Sequence, residues 1–427
     1  MVFFFANFFI SLRSFSREKT TLMKLKENIL TTILSKGLIL LLNFAVIVLT
    51  TQLWKAEGRG VIAIFTADIG LIAFFANVFT GNSASYYFSR FSSSKLATAA
   101  YLWSFLVSAL GGLFLLATGQ LQTAPFVFVV STLLGIVTFH NSLFVGDQRI
   151  NHYNLITLLQ PALLILCMLL FHWIRPQLGF YCYFLGQIVS LSALIALSTA
   201  LKRRMGIRFH WDFDRACNRQ LFNYGWKTEL SNVLQFFNYR LTYYMLAYYL
   251  GKGSVGIFSI GVSVAEASWI VSRSVSLVLF SNVLTQGNTP TSRRDTLHLA
   301  LLSLGVSAAC IGAILLLPKS LFAFIFGPEF GEAKRVVALL APGVLAVAFS
   351  NVLDNFFSAI RHLNVLLVRS SVGLIFTLLL SLWLIPKWQM DGACVVNSTS
   401  YFMSSAVLLL YFLSGKSKTD LDIEGER

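Results

Sequence analysis

The residues of this chain that could carry chemistry are nine charged side chains within segments that otherwise read as membrane-spanning helices. A charge at the centre of such a helix costs roughly 2.5–3.5 kcal/mol on insertion scales, so it needs a partner, water or a function. Lysine and arginine bind phosphate strongly in a low-dielectric site, and an intramembrane carboxylate can serve in ion coupling. The nine residues are Lys36, Asp68, Lys227, Glu229, Arg240, Glu266, Arg273, Asp354 and Arg369.

One polar stripe lies in the long apolar run 255–284. Ser259, Glu266 and Arg273 recur every seven residues, which places them on one side of a helix. The stripe must face protein or a water-filled cavity, and two interpretations stay open. It lines a cavity, or its charges lock onto neighbouring helices as buried pairs. Arg273 is the expected substrate contact, with Glu266 as its charge-balancing neighbour or a coupling group.

Four predicted spans hold seven of the nine charges, which predicts a central cavity between the first, second, seventh and eighth spans. In the first span, Lys36, Asn43 and Thr50 are again seven residues apart. The seventh span is the most polar, so we expect one face on the cavity and the other on its own lobe. Asp354 and Arg369 lie near cytoplasmic ends, where snorkelling or a local ion pair is expected. The predicted substrate-binding residues are Lys36, Lys227, Arg240 and Arg273; the predicted cavity-lining or coupling residues are Asn43, Asp68, Asn77, Glu229, Asn238, Ser259 and Glu266.

The elements that must position these residues are transmembrane helices. The chain is 56% hydrophobic and only 12% charged, against about 25% charged in a soluble domain. Stretches of about 20 mostly apolar residues predict twelve spans. They are approximately 30–53, 60–80, 96–117, 125–145, 153–174, 177–200, 222–250, 255–284, 296–317, 336–358, 364–385 and 391–413.

Basic residues set the predicted orientation. The formal net charge is +15, which in a soluble protein would suggest nucleic acid. Here lysine and arginine concentrate in the segments that lie inside when the N-terminus is cytoplasmic, above all in 201–221. We therefore expect a multi-pass protein of the bacterial inner membrane, with both termini cytoplasmic and no nucleic-acid partner. The cysteine and histidine spacings match no metal site.

The chain divides at its longest polar connection. Residues 24–210 form a predicted N-terminal lobe of six helices, 211–413 a C-terminal lobe of six, and 414–427 a cytoplasmic tail. Residues 1–23 are expected to be disordered or over-called, with translation starting at Met23. A weak repeat aligns Lys55 and Gly60 of the second span with Lys252 and Gly256 of the eighth, which predicts a pseudo-twofold relation between the lobes.

Several stretches resemble one family. The second span opens with QLWKAEGRGVIAIFTADIG, and the seventh and eighth contain NYRLTYYMLAYYLGKGSVGIFSIGVSVAEASWIVSRSVSLVLF. The tenth contains FGPEFGEAKRVVALLAPGVLAVAFSNVLDNFF, and LWLIPKWQMDGACVVNSTSY leads into the last. These stretches resemble polysaccharide flippases of the multidrug/oligosaccharidyl-lipid/polysaccharide exporter superfamily, which also contains the MATE transporters. The resemblance covers most of residues 24–413.

The resemblance implies a twelve-helix, MATE-like, two-lobe fold with a cationic cavity lined by helices 1, 2, 7 and 8. It also implies alternating-access movement of an undecaprenyl-diphosphate-linked oligosaccharide across the inner membrane for surface polysaccharide assembly. Expected partners are that lipid-linked oligosaccharide, membrane lipids and other polysaccharide-assembly proteins. No cofactor or enzymatic activity is expected, and a coupling ion, H⁺ or Na⁺, stays open. The alternatives are a cation-coupled multidrug antiporter of the same superfamily and, more remotely, a membrane-embedded glycan polymerase.

Overall fold

The computed structural model describes residues 2–204, 206, 209–269, 272, 283, 289–360 and 362–414; the side chains of 2–35, 227, 228 and 363 are outside this description. The described part is helical and contains no strand. Its helices are α1 (Val2–Thr80), α2 (Asn82–Tyr87), α3 (Ser93–Ala117), α4 (Ala124–Gly146), α5 (Ile150–Ile174), α6 (Tyr181–Arg204), α7 (Arg215–Leu250), α8 (Lys252–Ala267), α9 (Pro290–Leu316), α10 (Lys319–Phe326), α11 (Ala333–Ala359) and α12 (Leu363–Leu413).

Eight helical segments of the described residues are long and apolar enough to cross a membrane. Two of them, Lys36–Tyr87 and Asn364–Leu413, are each interrupted near the middle by a residue of non-helical backbone, Lys55 and Gln389 respectively. Each of the two therefore supplies two of the predicted spans. Helices α7 and α8 lie where the seventh and eighth spans were predicted. The predicted class, an all-α membrane protein of about twelve spans, is confirmed.

The first helix starts earlier than the sequence suggests. Its backbone is helical from Val2. The expectation that residues 1–23 are disordered or over-called stays a prediction. The start of translation at Met23 stays a prediction. The chain folds back at the non-helical residue Lys55. A contact across the bend shows this, in which the Arg59 guanidinium reaches the Thr50 hydroxyl at 3.4 Å. Nine residues of straight helix would separate those two backbones by about 13 Å.

The internal repeat appears in the backbone of four turns between spans. Lys55 (φ 55°, ψ −164°) follows the first span, and Gly251 (φ 84°, ψ 173°) holds the same place after the seventh. Gly179 (φ 54°, ψ −133°) lies between the fifth and sixth spans, and Gln389 (φ 52°, ψ −128°) lies between the eleventh and twelfth. Matching left-handed turns at matching places therefore relate the two halves.

This backbone match corrects the predicted register of the repeat by one residue. Gly60 and Gly256 each follow the positive-φ residue of their turn by five positions, so Lys55 aligns with Gly251 and not with Lys252. In this register Asp68 falls opposite Val264, two positions before Glu266. The two mid-span acids are therefore not equivalent residues of the repeat.

The two ends of α7 pack in different core clusters, while the boundary between residues 210 and 211 stays a prediction. Cys217 and Leu221, in its first two turns, belong to a core cluster with Val78 of α1 and helices α2 to α4. Tyr243 and Leu246, near its other end, belong to the large core of the C-terminal half. The 36-residue helix therefore bridges both lobes.

The connection before α7 is docked on the first turns of α3. The His210 ring shares a 3.0 Å hydrogen bond with the Ser94 hydroxyl, and the Asp212 amide donates to Thr98 at 3.0 Å. The Lys95 ammonium donates to Asp214 at 2.7 Å, and this hydrogen bond lowers the pKa of the Asp214 carboxyl group. Because Asp214 also caps α7 through the amides of its first turn, the connection and the helix start are fixed together.

The lobes meet where two glycine-containing helix starts cross. A Cβ atom on Gly60 would lie 1.7 Å from the Lys252 carbonyl oxygen, and one on Gly256 would lie 2.0 Å from that of Ala56. Beside this crossing, the Glu329 carboxylate accepts from the Ala56 amide at 2.9 Å, an amide freed by the kink at Lys55. This end is the one that the lysine and arginine distribution predicts to be outside.

Candidate functional site

The central polar feature is an ion pair between α7 and α8. The Arg240 guanidinium donates two hydrogen bonds to the Glu266 carboxylate, at 3.0 and 3.1 Å, and a third to the Tyr243 hydroxyl at 3.3 Å. The side chains remain 27% and 19% exposed, so this face of the helix pair is not sealed inside a core. Two of the predicted site residues are therefore brought together, and the described partner of Glu266 is Arg240.

A second buried guanidinium, that of Arg59, belongs to the N-terminal lobe. Arg59 is only 9% exposed, and its Nε atom has no hydrogen-bond partner. It lies close enough to Tyr183, Tyr243 and Arg240 to interact with them electrostatically. Its one described hydrogen bond goes to the Thr50 hydroxyl at 3.4 Å, the long limit for such a bond. Arg59 is therefore a buried cation with spare hydrogen-bond donors.

The stripe of the first span leads to Arg59. Lys36 and Asn43 are exposed on α1, whereas Thr50, the next residue of the stripe, is fully buried against Arg59. The stripe therefore passes from an accessible end to a buried cation at the lobe interface.

Asp68 lies in the second span, a little over two helical turns after Gly60. It is 5% exposed, and one carboxylate oxygen accepts from the Tyr244 hydroxyl at 2.8 Å while the other has no partner. The residue lines a cavity of about 600 Å³ at the predicted outer end, together with Tyr248, Lys252 and the turn between α3 and α4. Asp68 therefore lies in a cavity apart from the Arg240–Glu266 pair.

Two predicted cavity residues lie inside helix packing instead. Asn238 is fully buried and accepts from the Thr377 hydroxyl of α12 at 2.8 Å. Ser259 is 1% exposed and donates to the Gly256 carbonyl oxygen of its own helix at 2.8 Å. Neither side chain has a surface to offer a ligand, because the polar face of α7 turns toward its own lobe and Ser259 sits in the glycine crossing.

The remaining predicted residues are dispersed. Glu229 is 6% exposed and accepts from the Asn232 amide at 3.1 Å, one turn along α7. Asn77 is half-buried near the end of α1, where it accepts from the Thr80 hydroxyl at 3.4 Å. Arg273 and the side chain of Lys227 lie outside the described residues.

The two charges expected to pair locally do so. Arg369 of α12 and Asp354 of α11 form a salt bridge, and Arg369 keeps only 6% of its side-chain surface. A buried charge pair of this kind joins neighbouring helices within one lobe. Asp354 and Arg369 therefore belong to the packing of the C-terminal lobe.

Arg59 is not among the predicted site residues, because the apolar run of the second span begins only at residue 60. Its flanks, Gly58 and Gly60, were the available signal: glycine on both sides lets a helix approach another backbone closely. Taken together, Arg59, the Arg240–Glu266 pair and the stripe of the first span give an interface with an excess of positive charge. Such an arrangement is suited to an anionic, phosphate-like group.

Comparison with solved structures identifies the fold. A structure titled as the inward-facing conformation of a multidrug resistance MATE family transporter of the MOP superfamily aligns with a TM-score of 0.71 and 13% identity, covering 88% of this chain and 94% of that one. The lipid II flippase MurJ in an inward closed conformation aligns with a TM-score of 0.71 and 12% identity, covering 90% and 87%. A MOP superfamily transporter from Pyrococcus furiosus, whose title reports reverse polarity of its binding pocket, aligns with a TM-score of 0.63 and 13% identity over 90% and 93%.

A sequence relative gives a second, weaker link. The capsular polysaccharide biosynthesis protein CapF of Staphylococcus aureus is 23% identical over 207 residues, which are 48% of this chain and 52% of that protein. The chain therefore matches about half the length of this curated relative. No protein-family model matches the chain.

These likenesses define the class. The protein is a multi-pass helical membrane protein with the fold of the MOP superfamily transporters, in which MATE transporters and the flippase MurJ share one architecture.

Proposed function

We propose that the protein carries a polyprenyl-diphosphate-linked oligosaccharide across the bacterial inner membrane by alternating access between its lobes. The proposal rests on Arg59, a buried cation without a carboxylate partner among the described residues, which lies within electrostatic range of Arg240. A diphosphate would supply the negative charge that this guanidinium lacks. The names of two similar proteins, a capsular polysaccharide biosynthesis protein and a lipid II flippase, support the same substrate class.

In this proposal the headgroup enters between the lobes from the cytoplasmic side. Lys36 and Asn43 mark the accessible part of the path, and Arg59 and Arg240 hold the diphosphate at its deep end. The described contacts at Gly60, Gly256 and Glu329 close the opposite end, as in an inward-facing state. Lys227 and Arg273 stay proposed contacts on the evidence of their positions in the sequence.

The test is surface polysaccharide in a strain lacking its own copy of the gene. Arg59→Gln, Arg240→Gln and Lys36→Gln should each reduce surface polysaccharide at unchanged membrane levels of the protein, with Arg59→Gln the most severe. Arg175→Gln is the matched control, because Arg175 is exposed at the predicted outer end. Normal polysaccharide in all three variants would rule out the proposal.

One observation favours the antiporter alternative. Asp68 has a carboxylate oxygen without a partner beside a cavity, which is the chemistry of an ion-coupling group. Efflux of a cationic dye that disappears in Asp68→Asn, with no effect of Arg59→Gln on that efflux, would favour the antiporter. Under the flippase proposal the wild-type protein exports no such dye.

A further inference from the structure

A separate polar cavity lies inside the N-terminal lobe. It has a volume of about 670 Å³ and is enclosed by α3, α4, α6 and the connection to α7. The proposed transport path uses α1, α7 and α8, so this cavity is distinct from it. The lysine and arginine distribution predicts that this end of the lobe is cytoplasmic.

Lys202 is a buried lysine of this cavity without a described partner for its charge. It is only 7% exposed and lines the cavity in the last turn of α6. Within the described part of the chain, its ammonium group has no salt bridge and no hydrogen bond, and burial is the one influence on it. Burying an unpaired charge is costly, so a counter-ion is expected. Arg203 lines the same cavity and adds a second positive charge.

The other polar groups that line the cavity are neutral or positively charged. Both ring nitrogens of His140 are occupied, by the Tyr101 hydroxyl at 2.7 Å and the Ser198 hydroxyl at 2.6 Å, so this trio fixes one wall rather than offering a base. Ser93, the first residue of α3, also lines the cavity, and a helix N-terminus carries partial positive charge. No described lining residue is acidic. Every charge directed at this cavity is therefore positive.

We propose that this cavity binds a phosphate-bearing anion, with the headgroup of an anionic phospholipid as the source that the geometry favours. Apolar side chains flank the cationic end: Ile136 and Ile195 line the cavity, and Phe209 packs on Tyr101 with ring centroids 5.3 Å apart. A lipid would place its phosphate on Lys202 and its glycerol and acyl chains along these residues. Free phosphate shares the chemistry of the headgroup but gains nothing from this apolar flank.

The test uses the purified full-length protein and native mass spectrometry. Retained phosphatidylglycerol is compared with retained phosphatidylethanolamine of matched acyl chains, in the wild type, Lys202→Gln, Lys202→Arg and Arg204→Gln. Arg204 is the matched control because it is exposed in the same helix turn and does not line the cavity. In a second arm, inorganic phosphate is added to lipid-depleted protein and the unfolding temperature is followed.

We expect the wild type to retain phosphatidylglycerol over phosphatidylethanolamine, and Lys202→Gln to lower that retention at least about tenfold. Lys202→Arg and Arg204→Gln should retain it. Phosphate that stabilises the wild type but not Lys202→Gln, without lipid retention, would identify free phosphate as the source. No preference for phosphatidylglycerol in the wild type and no stabilisation by phosphate would overturn the proposal, and this readout needs no variant to fold.

Discussion

Loss of one partner of the Arg240–Glu266 pair should destabilise the protein more than loss of one partner of a surface ion pair. Each guanidinium hydrogen bond is charge-assisted, and the pair is bidentate, which fixes both side chains in orientation. Removing one partner leaves the other charge partly buried without compensation. The pair therefore holds the α7–α8 crossing in place and holds Arg240 at the lobe interface.

A double-mutant cycle measures this role. Glu266→Gln should lower the thermal stability of the purified protein more than the double variant Arg240→Gln/Glu266→Gln does, because the single change strands a cation. The expected coupling energy is about 1–3 kcal/mol. Additive effects of the two single variants on stability would contradict the pairing.

The partner of an individual charged residue could not be predicted from the sequence. The seven-residue spacing predicts a stripe on the eighth span, but the described partner of Glu266 comes from α7, 26 residues earlier. Spacing along one helix carries no information about which residue of a neighbouring helix lies opposite. Arg59 reads as a loop residue for another reason, because the predicted second span begins one residue after it.

Among the helices, the crossing of the second and eighth spans is the contact that the proposed alternating access would have to break. Gly60→Ala and Gly256→Ala introduce a Cβ atom within 2.0 Å of a facing carbonyl oxygen, which should disfavour the state closed at the outer end by about 1–3 kcal/mol. Gly253→Ala is the control, because nothing lies within 4 Å of its added Cβ atom.

Distances between spin labels at Thr118 and Ser320, on exposed outer turns of the two lobes, report this equilibrium. The labels require a background in which the five native cysteines are replaced. Both crossing variants should lengthen the mean distance, and Gly253→Ala should leave it unchanged. An unchanged distance in both crossing variants would mean that the crossing does not gate the outer end.

Glu329 adds a charge-assisted hydrogen bond beside the same helix crossing. Its carboxylate caps the Ala56 amide across the lobe boundary, and loss of a cap costs about 1 kcal/mol. Glu329→Ala should therefore shift a smaller part of the population to the open state than Gly60→Ala does. The mean distance between the labels should lengthen correspondingly less. Glu332→Ala is the control, since Glu332 pairs only with Lys319 at the surface. Equal effects of the two glutamate variants would contradict a specific cap.

The elements themselves were largely predictable, for a physical reason. A span must be about 20 residues of apolar chain, and the turns between spans carry glycine or polar residues, so hydropathy locates both. The bridging role of α7 was not predictable, because its first turns look like part of a polar connection and only packing assigns Cys217 and Leu221 to the N-terminal lobe.

At the scale of the whole molecule, orientation is a prediction of the lysine and arginine distribution. A green fluorescent protein fused after Ser414 should fluoresce, and one fused after Gln120 should not, because this reporter folds poorly once exported. Alkaline phosphatase at the same two positions should give the opposite result. A fluorescent fusion at Gln120 would invert the topology and with it the assignment of the inner and outer ends.

The central claim is that a phosphate-bearing glycolipid crosses between the lobes, and transport in proteoliposomes tests it most directly. Purified wild type, Arg59→Gln and Arg175→Gln are reconstituted with a fluorescent polyprenyl-diphosphate-linked oligosaccharide, and its appearance in the opposite leaflet is followed by quenching. We expect translocation by the wild type and Arg175→Gln and at least about a tenfold loss in Arg59→Gln. Equal translocation by Arg59→Gln, or a wild type that leaves the glycolipid in place while exporting a cationic dye, would contradict it.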